Sequence, residues 1–349
     1  MRLNKLTSLT VHTDRVWQSQ PHPTLPLLAT ASSDCSVQII SLHTFTPIHS
    51  LDSGHQRSIR SIAWQPNTPH PVLATGSFDA TCGIWRYYPT TGDLGEYDYS
   101  TALDGHESEI KSVAWSAGGT FLATCARDKN VWVWEELEED NFETLAVLQE
   151  HTQDIKCVAW HAEEVLLASA SYDDTIRLYK EDVDDWECCA VLEGHEGTVW
   201  YVQFEPREDA KRLVSCSDDL SVRVWVRVEK FDGDKARPMS ILRGDPVRED
   251  WVLESVLPKA HERSIYAVSW SPRSGRIVTC GGDGKIVVYE ETPKTTWKII
   301  AELGNAHGFF EINHVTWSRR FDKDGAGPEE EIIISCGDDG VVNVWVLEE

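Results

Sequence analysis

One residue pattern recurs seven times along this 349-residue chain and makes the expected fold all-β, a ring of seven four-stranded units. An aspartate stands six residues before an aromatic or aliphatic strand end in Asp34/Ile40, Asp79/Trp85, Asp128/Trp134, Asp173/Tyr179, Asp219/Trp225, Asp283/Tyr289 and Asp339/Trp345. Four residues before each aspartate comes a hydroxyl, at Thr30, Thr75, Thr124, Ser169, Ser215, Thr279 and Ser335. Upstream of each hydroxyl lies a histidine: His12, His55, His106, His151, His195, His261 and His307. Between them, stretches such as 131–134 and 222–225 alternate with period two, as half-buried strands do.

Each unit resembles the WD40 family, in the manner of LATCARDKNVWVW at 122–134. The resemblance implies a seven-bladed WD40 β-propeller in which His, Ser/Thr, Asp and Trp of one blade form a side-chain hydrogen-bond chain. His55, Thr75, Asp79 and Trp85 make one full set, and His106, Thr124, Asp128 and Trp134 another. A buried His or Asp is costly alone, but linked in this way the groups satisfy one another.

In chain order, residues 3–10 read as a blade's last strand with no earlier strands before it. The blades then occupy 11–51, 52–103, 104–148, 149–192, 193–257, 258–303 and 304–349. Outer strands end in a leucine three or four residues before the next histidine, as at Leu103, Leu148, Leu192 and Leu303; Leu9 has the same relation to His12. The last blade stops after a third strand at 341–347, so the segment 3–10 is expected to complete it and close the ring, leaving no frayed edge. Residues 1–349 are thus one domain. Three stretches exceed the repeat, at 87–96, 228–249 and 318–330, and their Gly, Pro and charge content marks them as surface loops.

Composition narrows the function. The chain has 57 acidic and 32 basic residues, a formal net charge of −25. Nucleic acids and anionic membrane surfaces demand a basic face, so neither is expected as a partner. No apolar run reaches the roughly 18 residues of a membrane span and the N-terminus lacks the apolar core of a leader. A soluble intracellular protein is expected, its cysteines reduced. The nine cysteines include no C-x-x-C pair. Cys125, Cys216, Cys280 and Cys336 share one repeat position on neighbouring blades, where strands about 10 Å apart cannot bring thiolates to one metal. They read as small buried apolar residues, and of the adjacent Cys188 and Cys189 one should be exposed. No metal and no cofactor are expected. Neither a phosphate-cradling Gly-rich loop nor H-E-x-x-H occurs, and the repeated Ser and His are committed to the turns, so the chain reads as a binding platform and not an enzyme.

Two positions per blade should line the central mouth on the side of the aspartate turns. The residue before the Asp gives Ser33, Phe78, Arg127, Tyr172, Asp218, Gly282 and Asp338; the start of the innermost strand gives Trp17, Arg60, Lys111, Lys156, Trp200, Tyr266 and Asn313. Blades one to five thus interleave Arg60, Lys111, Arg127 and Lys156 with Trp17, Phe78, Tyr172 and Trp200. Such a mouth suits a ligand offering a carboxylate and an aromatic side chain.

Further strings are more specific. ATCARDKNVWVWE (123–135), EHTQDIKCVAWH (150–161), the stretch 169–206 and LVSCSDDLSVRVW (213–225) resemble the WD-repeat subunit of the cytosolic iron–sulfur assembly targeting complex. That resemblance implies a non-catalytic scaffold that joins a small subunit bearing a reactive cysteine to a large HEAT-repeat adaptor. It also implies clients, cytosolic and nuclear apoproteins, whose C-terminal tails end in an aromatic residue. The family's functionally sensitive arginine matches Arg127, and its LYR-type tripeptide for co-chaperone recruitment matches Leu178, Tyr179 and Lys180, where Lys replaces the planar fork of Arg. The alternative is a generic WD40 adaptor, such as a ubiquitin-ligase substrate receptor or a chromatin scaffold.

Overall fold

A computed structural model describes residues 1–90, 95–182, 185–207, 209–228, 248–293, 295–322 and 330–348. Among the described residues the chain forms seven antiparallel sheets of four strands each, and no helix. In six sheets the strands follow chain order from the innermost outward, as in Ile110–Trp115, Phe121–Ala126, Val131–Glu138 and Asn141–Leu148 of blade three. The seventh runs Ile312–Arg319, Glu331–Gly337, Val341–Glu348 and then Arg2–Thr10. The N-terminal strand therefore closes the ring, paired from Arg2↔Glu348 to Thr10↔Val341 with one irregularity between Lys5 and Thr7. Leu3 packs with Trp317 and Trp345, and Leu9 with Ile334 and Val342, so closure buries apolar surface as well as an edge.

Second strands are buried along all of their length, as in Val72–Ser77 and Leu166–Ser171, or all but their first residue, as in Phe121–Ala126. They face a neighbouring blade on each side, which explains their runs of Leu, Val, Ala, Thr and Ser in place of strict alternation. The core is accordingly a series of seams between blades. One joins Cys125, Val131 and Leu148 of blade three to Ile155, Leu167 and Tyr179 of blade four.

The His–Asp and His–hydroxyl links are present in every blade, and the indole link in the four blades that carry the Trp: two, three, five and seven. In blade three His106 Nδ1 lies 2.8 Å from Asp128 Oδ2 and its Nε2 2.9 Å from Thr124 Oγ1, to which the Trp134 indole N–H also donates at 3.0 Å. Blade two repeats this with His55, Asp79, Thr75 and Trp85 at 3.1, 2.7 and 3.1 Å. Each aspartate also fixes its own turn: Asp128 accepts the backbone N–H of Glu107 and of Asn130. The residue after the aspartate is left-handed in all seven turns, with φ of 66° at Cys35, 73° at Ala80, 71° at Lys129, 66° at Asp174 and 65° at Leu220. Only blades six and seven place a glycine there, Gly284 and Gly340; elsewhere the aspartate's hydrogen bonds hold a conformation that costs a side chain about 1 kcal/mol or more.

The three long connections need correction. Tyr87 and Tyr88 belong to the strand Thr81–Tyr88, and Glu96 to Glu96–Asp104, because the hairpin continues through Tyr87↔Tyr97 and Tyr88↔Glu96. Ser318 and Arg319 likewise end a strand, as does Val228. Of the remainder, 91–94, 229–247 and 323–329 lie outside the described residues.

Candidate functional site

A shared irregularity of the innermost strands builds the mouth. In blade three Ile110 pairs with Ala126 and Ser112 with Cys125, which leaves Lys111 with no partner across the ladder. The same bulge singles out Trp17, Arg60, Lys156, Trp200, Tyr266 and Asn313. A bulge sets two residues opposite one and re-aims the extra side chain. Seven bulges at one level thus turn seven side chains toward the axis.

A second link ties the turn to this strand. The N–H of the residue before each Asp donates to the carbonyl just before the innermost strand: Ser33 to Arg15, Phe78 to Ser58, Arg127 to Glu109, Tyr172 to Asp154, Asp218 to Thr198, Gly282 to Ser264 and Asp338 to Glu311. These acceptors form a third rim position that the sequence reading missed. Its signal was available, since it falls three residues after the repeat histidine, or four in blade seven.

The three positions together form a nearly continuous circuit. The Trp17 indole donates to Ser33 Oγ at 2.8 Å, its ring centroid lies 6.1 Å from that of Phe78, and Arg60 sits 5.0 Å from it. Lys111 Nζ is 4.1 Å from the Phe78 ring centroid and 3.0 Å from Glu109, which also lies 3.4 Å from Arg57 and 3.7 Å from Arg127. Asp154 lies between Arg127 at 4.0 Å and Lys156 at 3.5 Å. Lys156 is in turn 5.2 Å from the ring centroids of both Tyr172 and Trp200. Trp200 donates to Asp218 at 2.6 Å and meets Tyr266 edge-on at 5.2 Å; the Tyr266 hydroxyl donates to Glu311 at 3.0 Å. Asn313 donates to Asp338 at 2.9 Å, and Arg15 closes the circuit 3.6 Å from Asp338 and 5.3 Å from the Trp17 ring.

The mouth is therefore two-sided. Blades two to four hold Arg57, Arg60, Lys111, Arg127 and Lys156, whereas blades five to seven hold Asp218, Glu311 and Asp338. Burial lowers the pKa of Lys111 and Lys156, and each also feels the Arg60 charge. The Lys111 hydrogen bond holds Glu109 below the ordinary carboxylate range. Lys111 and Lys156 are thus partly neutralised by acids absent from the sequence-based picture. Arg127 is 60% exposed and stands on the rim, outside the hydrogen-bond chains of the blades.

The proposed recruiting tripeptide is not displayed as a surface. Leu178 and Tyr179 are fully buried because they alternate into the seams on either side of blade four, and Lys180 is held by Glu164 at 2.8 Å and by Glu249. Cys125, Cys216, Cys280 and Cys336 are fully buried and burial raises their thiol pKa; Cys189 is buried and Cys188 half-buried. Neither Cys188 nor Cys189 is freely exposed, since Cys188 packs into the seam of blades three and four. Among the described residues no group of His, Cys, Asp and Glu is arranged to hold a metal ion, and no helix is long and apolar enough to cross a membrane.

The WD domain, G-beta repeat family model matches residues 3–41, 45–86, 98–135, 142–180, 186–226 and 252–290. Each match begins in, or one residue before, the outermost strand of one blade and ends in the third strand of the next, the offset that lets the N-terminal strand close the ring. A protein of Phaeosphaeria nodorum named probable cytosolic iron-sulfur protein assembly protein 1 is 46% identical, over 99% of this chain and 96% of its own length. Proteins of the same name from Penicillium rubens and Aspergillus flavus are 41% and 43% identical, covering 96% and 99% of this chain and 96% and 100% of their own. With its WD40 repeats, its closed seven-bladed ring and likeness along nearly its whole length, this chain belongs to the cytosolic iron-sulfur protein assembly protein 1 family.

Proposed function

We propose that this protein is a non-catalytic scaffold of cytosolic iron–sulfur protein assembly, and that its mouth receives the C-terminal tails of client apoproteins. The observation that carries the second part is the basic and aromatic half of the rim. In a chain of net charge −25, five cations gather there around two carboxylates and four aromatic rings. A terminal carboxylate supplies the missing negative charge, and a terminal aromatic side chain supplies packing area against Trp17, Phe78, Tyr172 and Trp200. The small cysteine-bearing subunit and the HEAT-repeat adaptor dock elsewhere in this reading, on blade sides or the opposite face, so that scaffold and client sites are open together. It acts in the cytosol, on clients that include nuclear proteins.

Titration of the purified protein with a fluorescein-labelled peptide ending in Trp tests the tail reading. The free acid should bind roughly 10- to 100-fold more tightly than its C-terminal carboxamide, the range of a charge-assisted hydrogen bond. Equal affinities for acid and amide would refute it.

A further inference from the structure

The cations of the mouth are not equivalent. Glu109 and Asp154 are shared among four of them: Arg57 and Lys111 on Glu109, Lys156 on Asp154, and Arg127 between the two. Arg60 is the fifth. Among the described residues it has no carboxylate and no hydrogen-bond partner. Its guanidinium lies against the Trp17 ring at 5.0 Å, within electrostatic reach of the Tyr201 phenol and the buried Cys157 and Cys336 thiols, with only partial exposure. The polar groups deeper in the channel offer it no counter-charge. Tyr201 and His314 meet across the axis at 5.5 Å between ring centroids, the His314 Nε2 lying 3.3 Å from the Tyr201 hydroxyl. Burial holds both neutral, pulling His314 down to about 3 and pushing the phenol up.

A guanidinium enclosed by protein with nothing to pair with is an uncompensated cost to the ligand-free fold. Five donors in a planar fork at the end of a funnel are also the geometry that takes an oxyanion in two parallel hydrogen bonds. Arg127 differs on every count: it is 60% exposed, sits at the limit of ion-pair distance from two carboxylates, and stands on the rim. Both of those carboxylates are the ones that neutralise the channel lysines. Resting on the tail reading above, we propose that Arg60 is the residue that receives the ligand's terminal carboxylate, and that Arg127 is a positioning residue. Arg127 braces Glu109 and Asp154, and through them the Lys111 and Lys156 side chains that lie against Phe78, Tyr172 and Trp200, so it orders the aromatic wall that acid and amide share.

The test measures the acid-to-amide affinity ratio of the Trp-ended peptide on full-length wild type, Arg60→Gln, Arg60→Lys, Arg127→Gln and Arg127→Lys. Arg60→Gln should bring the ratio close to 1 by weakening the acid far more than the amide, and Arg60→Lys should restore part of it. Arg127→Gln should weaken acid and amide together and preserve the ratio, with rescue by Arg127→Lys. A full ratio in Arg60→Gln, or a ratio lost in Arg127→Gln, would overturn the assignment. If wild type itself fails to discriminate, the tail reading is what falls. A second probe, inorganic phosphate compared with chloride at equal ionic strength, then decides on Arg60: a phosphate-dependent rise in Tm of wild type absent from Arg60→Gln keeps it as an oxyanion receptor, and an equal rise in both removes it. Folding is controlled by the ligand-free Tm of Arg60→Gln, expected to match or exceed wild type because an unpaired, partly buried charge is gone.

Discussion

At Thr124 two buried donors depend on one oxygen, His106 through Nε2 and Trp134 through its indole N–H. Thr124→Val keeps the shape but orphans both, and each buried unsatisfied group costs about 1–3 kcal/mol. The expected loss is about 2–5 kcal/mol by urea denaturation, and Thr30→Val should cost roughly half as much, since Ile40 leaves that hydroxyl only His12 to serve. A pH dependence follows from His314. Its pKa of about 3 in the fold lies below the ordinary 6.5, so between those values the unfolded chain takes up a proton that the native state refuses. Stability should therefore fall as pH drops from 7 to 5, by up to roughly 1.4 kcal/mol per pH unit from this group below 6.5. His314→Gln should flatten that part of the slope, and an unchanged slope would show that His314 does not titrate as described. The depressed carboxylates, Asp283 at about 2 among them, act with the same sign in a lower window: their stabilisation is complete above about 4 and is lost only as pH falls toward the folded value. Such side-chain chains were legible because their spacing follows from a fixed turn. Glu109 and Asp154 were printed just as plainly, but their pairing with Lys111 and Lys156 depends on a bulge that leaves no mark in composition or alternation.

Among the elements, the strand Arg2–Thr10 differs from other outer strands in joining the two ends of the chain. Leu9→Asp should place a charge in the cluster of Ile334 and Val342 and loosen the seam between blades seven and one. Val147→Asp, on the exposed face of the outer strand of blade three, serves as the control and should change Tm little. A Leu9→Asp protein as stable as the control would mean that the ring does not depend on this closure. Counting strands was enough to foresee the closure, because a final blade with three strands and an initial segment with one leave a single way to pair both edges. The ends of the hairpins were less legible: Tyr87 and Tyr97, with ring centroids 5.2 Å apart, extend pairing into residues whose Gly and Pro neighbours read as loop.

Over the whole molecule, a charge of −25 surrounds a mouth whose basic half faces blades two to four. Self-repulsion of that size is screened by salt, so Tm should rise between 10 and 150 mM NaCl, a change differential scanning calorimetry would register. The family and its role were legible in strings outside the structural positions, which the blade architecture alone cannot specify. The placement of partner subunits was not, because a binding surface on blade sides draws on residues far apart in the chain. The central claim is that scaffolding and client capture use different surfaces. Its most direct test is co-isolation from a native-like extract with tagged wild type and Arg127→Glu, read by quantitative mass spectrometry. The account predicts that iron–sulfur assembly subunits accompany both forms equally, whereas iron–sulfur client proteins are depleted with Arg127→Glu. Assembly subunits missing from the wild-type isolate, or clients retained in full by the charge reversal, would contradict it.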